Sequence, residues 1–147
     1  MNDETNVRIE EDAIIAMLMM RAKALGEKNA AEALSYEADD SVEFSLAPPL
    51  VYYGQDEAGL QAWFDTWEGP IGGEVRDAKL TVGGDVAFWS GLLRMTGTKT
   101  DGTEVDLWFR QTLGLVKRDG KWIVAHQHAS VPFAMDGSGR ALLDLKP

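Results

Sequence analysis

Apolar residues recur at helical spacing in the first part of this chain and alternate in the second. Ile9, Ala13, Ile14, Met17, Leu18, Met20, Ala24 and Leu25 predict a helix over residues 9–26. Gly26 ends it, and Asn29 is placed to open a short second helix over 30–36, closed by Ala38-Asp39-Asp40. Residues 42–46 and 50–53 read as short strands parted by Pro48-Pro49. A third helix is predicted after Gly54-Gln55-Asp56, carrying Leu60, Trp63, Phe64 and Trp67, with Gly69-Pro70 and Gly72-Gly73 as breakers.

Beyond residue 74 the pattern takes a period of two. Strands are predicted over 74–82, 86–98, 103–117 and 121–133, with turns at Gly83-Gly84-Asp85, Thr100-Asp101-Gly102 and Asp119-Gly120. The tail carries Gly137-Ser138-Gly139 and then an apolar ALLDL, a short closing segment. Helices followed by a meander of long strands make the class α+β. With no repeat, linker or low-complexity run in 147 residues, one domain spanning 1–147 is expected.

The last hairpin, WFRQTLGLVKRDGKWIVAHQHASVP, holds both histidines. His126 and His128 are two apart and share a strand face, with Trp122, Val124 and Ser130 expected beside them. Two turns are open. A three-residue loop closed by Gly120 would set Thr112 against His126, Arg110 against His128 and Trp108 against Ser130. A two-residue Asp-Gly turn would instead bring Gln111 and Leu113 beside the histidines. The first is preferred, because it gathers Arg110, Thr112, His126, His128 and Ser130 on one concave, helix-facing side. The opposite face then holds Phe109, Leu113, Leu115, Ile123 and Ala125, an apolar stripe that calls for a homodimer through the outer sheet.

Charge narrows the partners. Asp+Glu 24 against Lys+Arg 14 gives a net charge of −10, and the basic residues Lys117, Arg118 and Lys121 sit at a turn. Nucleic acid and membrane are therefore not expected partners. The N-terminal MNDETNVRIEED is too polar for a signal peptide, and no apolar run reaches membrane-spanning length, so a cytoplasmic protein is expected. Zero cysteines exclude thiol chemistry. No glycine-rich phosphate loop follows a strand, so no cofactor is expected. Two imidazoles could share a metal with Asp106, but no third ligand is spaced to complete a site, and no metal is expected either.

Taken together, YEADDSVEF, LAPPLVYYG, GTKTDGTEVDLWFRQT, VKRDGKWIVAHQHASVPF and the tail ALLDLKP resemble the NTF2-like superfamily, in its SnoaL-like, ketosteroid-isomerase-homologue branch. The resemblance covers the whole chain, and the histidine-serine-proline stretch is its specific part. It implies a cystatin/NTF2-like cone, with N-terminal helices packed on a strongly curved antiparallel sheet around a deep pocket, and dimers through the outer sheet face. In ketosteroid isomerase an aspartate two to three positions beyond Val42 is the general base, and a tyrosine on the first helix holds the oxyanion. Phe44 and Ser45 stand at the first place here, and Met17, Met19, Met20 and Arg21 in the region of the second. The proton-shuttling dyad of that enzyme is absent, so steroid isomerisation is not expected.

The expected function is proton transfer, as isomerisation, elimination or addition of water, on a small and possibly anionic organic substrate. His128 is the expected acid or base, with His126 and Arg110 completing the catalytic set. Asp106, Trp108, Thr112, Ser130, Tyr53, Trp63 and Met20 are the expected substrate contacts. Asp106 could instead bridge Arg110, the histidines could be a hydrogen-bonded structural pair, and Glu43 reads first as a solvated carboxylate, with Glu43 or Tyr53 the next catalytic candidate if His128 is dispensable. The rival function is a non-catalytic ligand-binding or association module of the same fold.

Overall fold

The computed structural model describes residues 3–147, so Met1 and Asn2 of the expected domain span lie outside the described residues. Helix α1 occupies Asp3–Gly26, six residues earlier than the apolar pattern predicts. Its first turn bears Asp3 and Glu4 and its last Lys23, charges that suit the helix dipole, so the polar start joins the helix without burial. Helix α2 (Ala30–Leu34) is capped by the Asn29 side chain, which accepts from the Glu32 N–H at 3.1 Å. Helix α3 (Glu57–Phe64) is capped in the same way by Asp56 on the Gly59 N–H.

Six strands follow: β1 (Glu37–Phe44), β2 (Tyr52–Tyr53), β3 (Trp67–Gly83), β4 (Val86–Lys99), β5 (Glu104–Arg118) and β6 (Lys121–Ser130). They form one sheet in the order β2-β1-β6-β5-β4-β3. Strands β3 to β6 are an antiparallel meander, and β1 lies parallel to β6. Helices packed on one six-stranded, mostly antiparallel sheet make the fold α+β, as expected.

Two elements depart from the pattern. Ala38-Asp39-Asp40, expected to close the second helix, belongs to β1, where pairing with β6 from Glu37↔Val124 onward supplies the backbone partners. Trp67, expected on the third helix, opens β3, which continues through Gly69-Pro70 and Gly72-Gly73. Strand β3 is the sheet edge, where a proline costs no ladder bond, and its register shifts between Glu68 and Gly72 and again between Arg76 and Lys79.

The last hairpin decides which side chains face the helix. Its turn has two residues, not three: Asp119 and Gly120 both take positive φ, 52° and 77°, and Arg118 pairs with Lys121. Both central residues in the left-handed region match the strand twist. Register then runs Lys117↔Trp122, Val116↔Ile123 and Leu115↔Val124, and breaks. A bulge leaves Ala125 without a partner, and pairing resumes at Gly114↔His126 and Thr112↔His128. Glycine suits position 114, because a Cβ there would come within 3.2 Å of the His126 Cβ.

The bulge resets the alternation of β6. Trp122 and Val124 point inward, as does Gln127, three residues after Val124. Against these, α1 places Ile14, fully buried with Ala87, Leu113, Leu115, Trp122 and Val124, and Met17, Leu18, Leu80, Val82 and Trp89 pack around them. Glu10 of α1 reaches Lys117 at 2.6 Å and accepts from the Trp122 indole. Leu113 and Leu115, expected on the outer face, therefore form the inner one, and Phe109 joins them by alternation. Ile123 stays outside, paired with Val116.

This assignment is testable by truncation on each side of β5. Leu115→Ala should cost about 2–5 kcal/mol in urea denaturation. Thr112→Ala on the outer face should stay within about 0.5 kcal/mol of wild type.

Candidate functional site

The histidines lie on the outer, convex side of the sheet. His126 donates from Nδ1 to the Val42 carbonyl, 2.8 Å away; since a carbonyl only accepts, Nδ1 carries the proton of the neutral ring and Nε2 is its acceptor. Phe44 presents edge-on contacts to both imidazoles, at 5.0 Å and 5.2 Å between ring centres. His128 is exposed and stands opposite Thr112. Arg110 pairs with Ser130 rather than His128, donating to the Ser130 hydroxyl at 3.2 Å. The structure thus brings Arg110, Thr112, His126, His128 and Ser130 to one face, as the sequence predicts, but to the face away from α1. The expected partnership with Trp122 and Val124 fails because the Ala125 bulge lies between the two sets.

The other expected contacts scatter. Asp106 does not bridge Arg110; it makes a two-pronged pair with Arg94, both bonds at 2.8 Å. Trp108 lies on the outer face beneath the Arg76 guanidinium, 5.5 Å from the ring centre. Tyr53 pairs with Val42 and shares the outer face, so Tyr52, opposite Glu43, is the tyrosine beside the interior. Met20 is half exposed on α1, one residue from inward-facing Arg21. Trp63 packs on Phe64 and Trp67, with the Lys99 ammonium 5.4 Å above its ring. Among the described residues no cluster of histidine, aspartate and glutamate is arranged to hold a metal.

The polar groups that do meet inside the cone are Arg21, Glu37, Gln127 and Glu43. Arg21 stands at the helical spacing of the apolar stripe, after Ile14, Met17 and Leu18, and is 6% exposed. Its guanidinium lies 3.3 Å from Glu37 Oε2 and donates to Gln127 Oε1 at 2.9 Å. Gln127 closes the ring by donating from Nε2 to Glu37 Oε1 at 3.0 Å. A buried ion pair persists when its remaining lone pairs and protons are occupied, and Gln127 does this for both partners. Without the bulge Gln127 would point outward and the ring could not close.

Glu43 completes the group. It pairs with Gln127 across the parallel β1–β6 ladder and with Tyr52 across β1–β2. Its carboxylate has no hydrogen bond or ion pair among the described residues. Burial pushes the Glu43 carboxyl above the ordinary glutamate range, the negative charge of Glu37 adds to the rise, and Arg21 offsets part of it. Arg21 is already committed to Glu37, so it neutralises one carboxylate and leaves the other poised. The arrangement can take up or release a proton on one carboxyl that is partly shielded from water.

Sequence reasoning missed Arg21, Glu37 and Gln127 and read Glu43 first as solvated. One signal was present: Arg21 is the charged residue within the apolar stripe of the first helix, where a charge requires a buried partner.

Residues 14–134 match the model of the SnoaL-like domain family. The chain belongs to the SnoaL-like family. Among solved structures, this SnoaL-like chain is similar to an NTF2-like protein of unknown function from Pseudomonas putida KT2440, 27% identical over 95% of this chain and 98% of that one, with a TM-score of 0.85. It shares its fold with a candidate scytalone dehydratase from Novosphingobium aromaticivorans DSM 12444, at 18% identity, 97% and 96% coverage and a TM-score of 0.78. It also shares the fold with the association domain of C. elegans CaMKII, at 14% identity, 88% and 100% coverage and a TM-score of 0.67. No curated protein matches the sequence. No helix among the described residues is long and apolar enough to cross a membrane.

The raised Glu43 carboxyl makes a prediction about stability. A carboxyl that binds its proton more tightly in the folded state contributes full stability below its unfolded value, near 4.5, and loses it as pH rises through the folded value. Above that folded value the ionised Glu43 is a burden on the fold. Glu43→Gln should raise Tm at about pH 7, and the gain should vanish below about pH 4. An equal gain at both pH values in a melting series would rule out the titration of Glu43 as its source.

Proposed function

We propose that this SnoaL-like protein is a small-molecule enzyme of proton-transfer type, an isomerase, lyase or hydratase, with Glu43 as its acid–base group. The observation that carries this reading is the inward, unpartnered Glu43 beside a closed Arg21–Glu37–Gln127 ring. As carboxylate, Glu43 accepts a proton from carbon next to a carbonyl. As carboxylic acid, it returns that proton to a second position or to a departing oxygen, and burial, by raising its pKa, makes the protonated form easier to reach than for an ordinary glutamate. The fold shared with a candidate dehydratase supports chemistry of this class.

The substrate is a neutral organic molecule. The anionic guest suggested by Arg110 loses its anchor, since Arg110 sits on the outer face bonded to Ser130. Inside, the Arg21 charge is spent on Glu37, and ionised Glu43 would repel an anion. The outer histidine-bearing face we assign to self-association as a homodimer, a role supported by likeness to association domains.

The test is exchange and turnover with small neutral ketones and β-hydroxyketones in D2O, followed by NMR. Glu43→Gln should lower the rate by about 100-fold or more, the usual worth of one positioned acid–base group. His128→Ala should leave it unchanged. Full activity in Glu43→Gln, or loss in a folded His128→Ala, would remove Glu43 from the chemistry.

A further inference from the structure

The chain carries a net charge of −10, yet the middle of its outer sheet face has no carboxylate among the described residues. Three of the acids toward the margins of this face are held by arginines. Asp106 and Glu74 bind Arg94 at one end, and Asp40 binds Arg118 at the other. Between them the outward positions of β4, β5 and β6 hold apolar and uncharged residues with Phe88 half exposed, together with Arg110, His126 and His128. Two copies of a strongly acidic chain repel each other over most of their surfaces, and this face is the place where they can meet without apposing bare carboxylates.

We propose that the outer face is a pH-gated interface between two copies of this chain, closed while His126 and His128 are neutral and opened by their protonation. This rests on the reading of that face as the self-association surface. A two-fold interface sets the same patch against itself, so the histidines of both copies and both Arg110 side chains enter one desolvated layer. The groups facing the histidines offer no compensating charge. Strand β5 contributes Arg110, itself cationic, β2 contributes Tyr53, and β1 contributes Asp40, already bound to Arg118. Phe44 of β1 packs its edge against both imidazoles. His126 holds the Val42 carbonyl through Nδ1, so a second proton can enter only at Nε2. Histidine is the side chain that ordinarily changes charge between pH 5 and 8.

Sedimentation velocity of the full chain at about pH 7.5 and pH 5.5 tests this, with circular dichroism confirming that it stays folded. A dimer at the higher pH should weaken at the lower by on the order of tenfold per excluded imidazole proton. The double variant His126→Gln/His128→Gln should stay dimeric at both, and Phe88→Asp should be monomeric at both. A wild-type monomer at both pH values would overturn the self-association reading itself. A dimer equally tight at both pH values, or one that dissociates in acid regardless of the histidines, would overturn the gate and leave the dimer standing. A dimeric Phe88→Asp would move the interface elsewhere and overturn the proposal.

Discussion

One unpaired residue, Ala125, sorts this sheet into an inside and an outside. A regular strand would carry Trp122, Val124, His126 and His128 on the same face, since side chains alternate strictly with period two. Two of these are core residues and two are polar. The bulge lets both sets be satisfied: Trp122 and Val124 pack on Ile14 of the helix, and the histidines turn out beside Phe44. Because β1 runs parallel to β6 downstream of the bulge, the same reset fixes Glu43 and Gln127 inside and Val42 and Phe44 outside.

The inside then poses a problem of charge. A guanidinium buried at Arg21 would be costly alone, and two glutamates stand near it. The solution is unequal. Glu37 takes the ion pair, with Gln127 bonding both partners, and Glu43 receives only what field remains. That inequality separates a structural carboxylate from a reactive one within a few residues of the same strand. It is the reverse of the common situation at the margins of the sheet, where Asp40, Asp106 and Glu74 each find an exposed arginine and their pairs contribute little.

Much of the fold was legible in the sequence, because it rests on long periodic segments. The helical stripe of α1, the meander from residue 74 onward, the end of the last turn at Gly120 and the NTF2-like resemblance all lead to the observed cone. The grouping of Arg110, Thr112, His126, His128 and Ser130 was also legible, since the two-residue turn and the bulge each shift the register by one and together restore the parity. Their side of the sheet was not. Period two says which residues share a face only while the strand is unbroken, and a bulge at alanine leaves no compositional mark. The interior site was hidden for a related reason. Glu37, Glu43, Gln127 and Arg21 come from three elements far apart in sequence, and β1 pairs with the last strand on one side and with β2 on the other. Long-range parallel pairing of that kind cannot be read from local pattern.

The most direct measurement is a carboxyl ¹³C titration of Glu43 in wild type and in Glu37→Gln. The account predicts a wild-type midpoint above the ordinary glutamate value of 4.5, because the group is partly dry and faces the charge of Glu37. Removing that charge should lower the midpoint while burial keeps part of the rise. A midpoint at or below the ordinary value, unmoved by Glu37→Gln, would place Glu43 in solvent and contradict the inward site on which the functional reading stands.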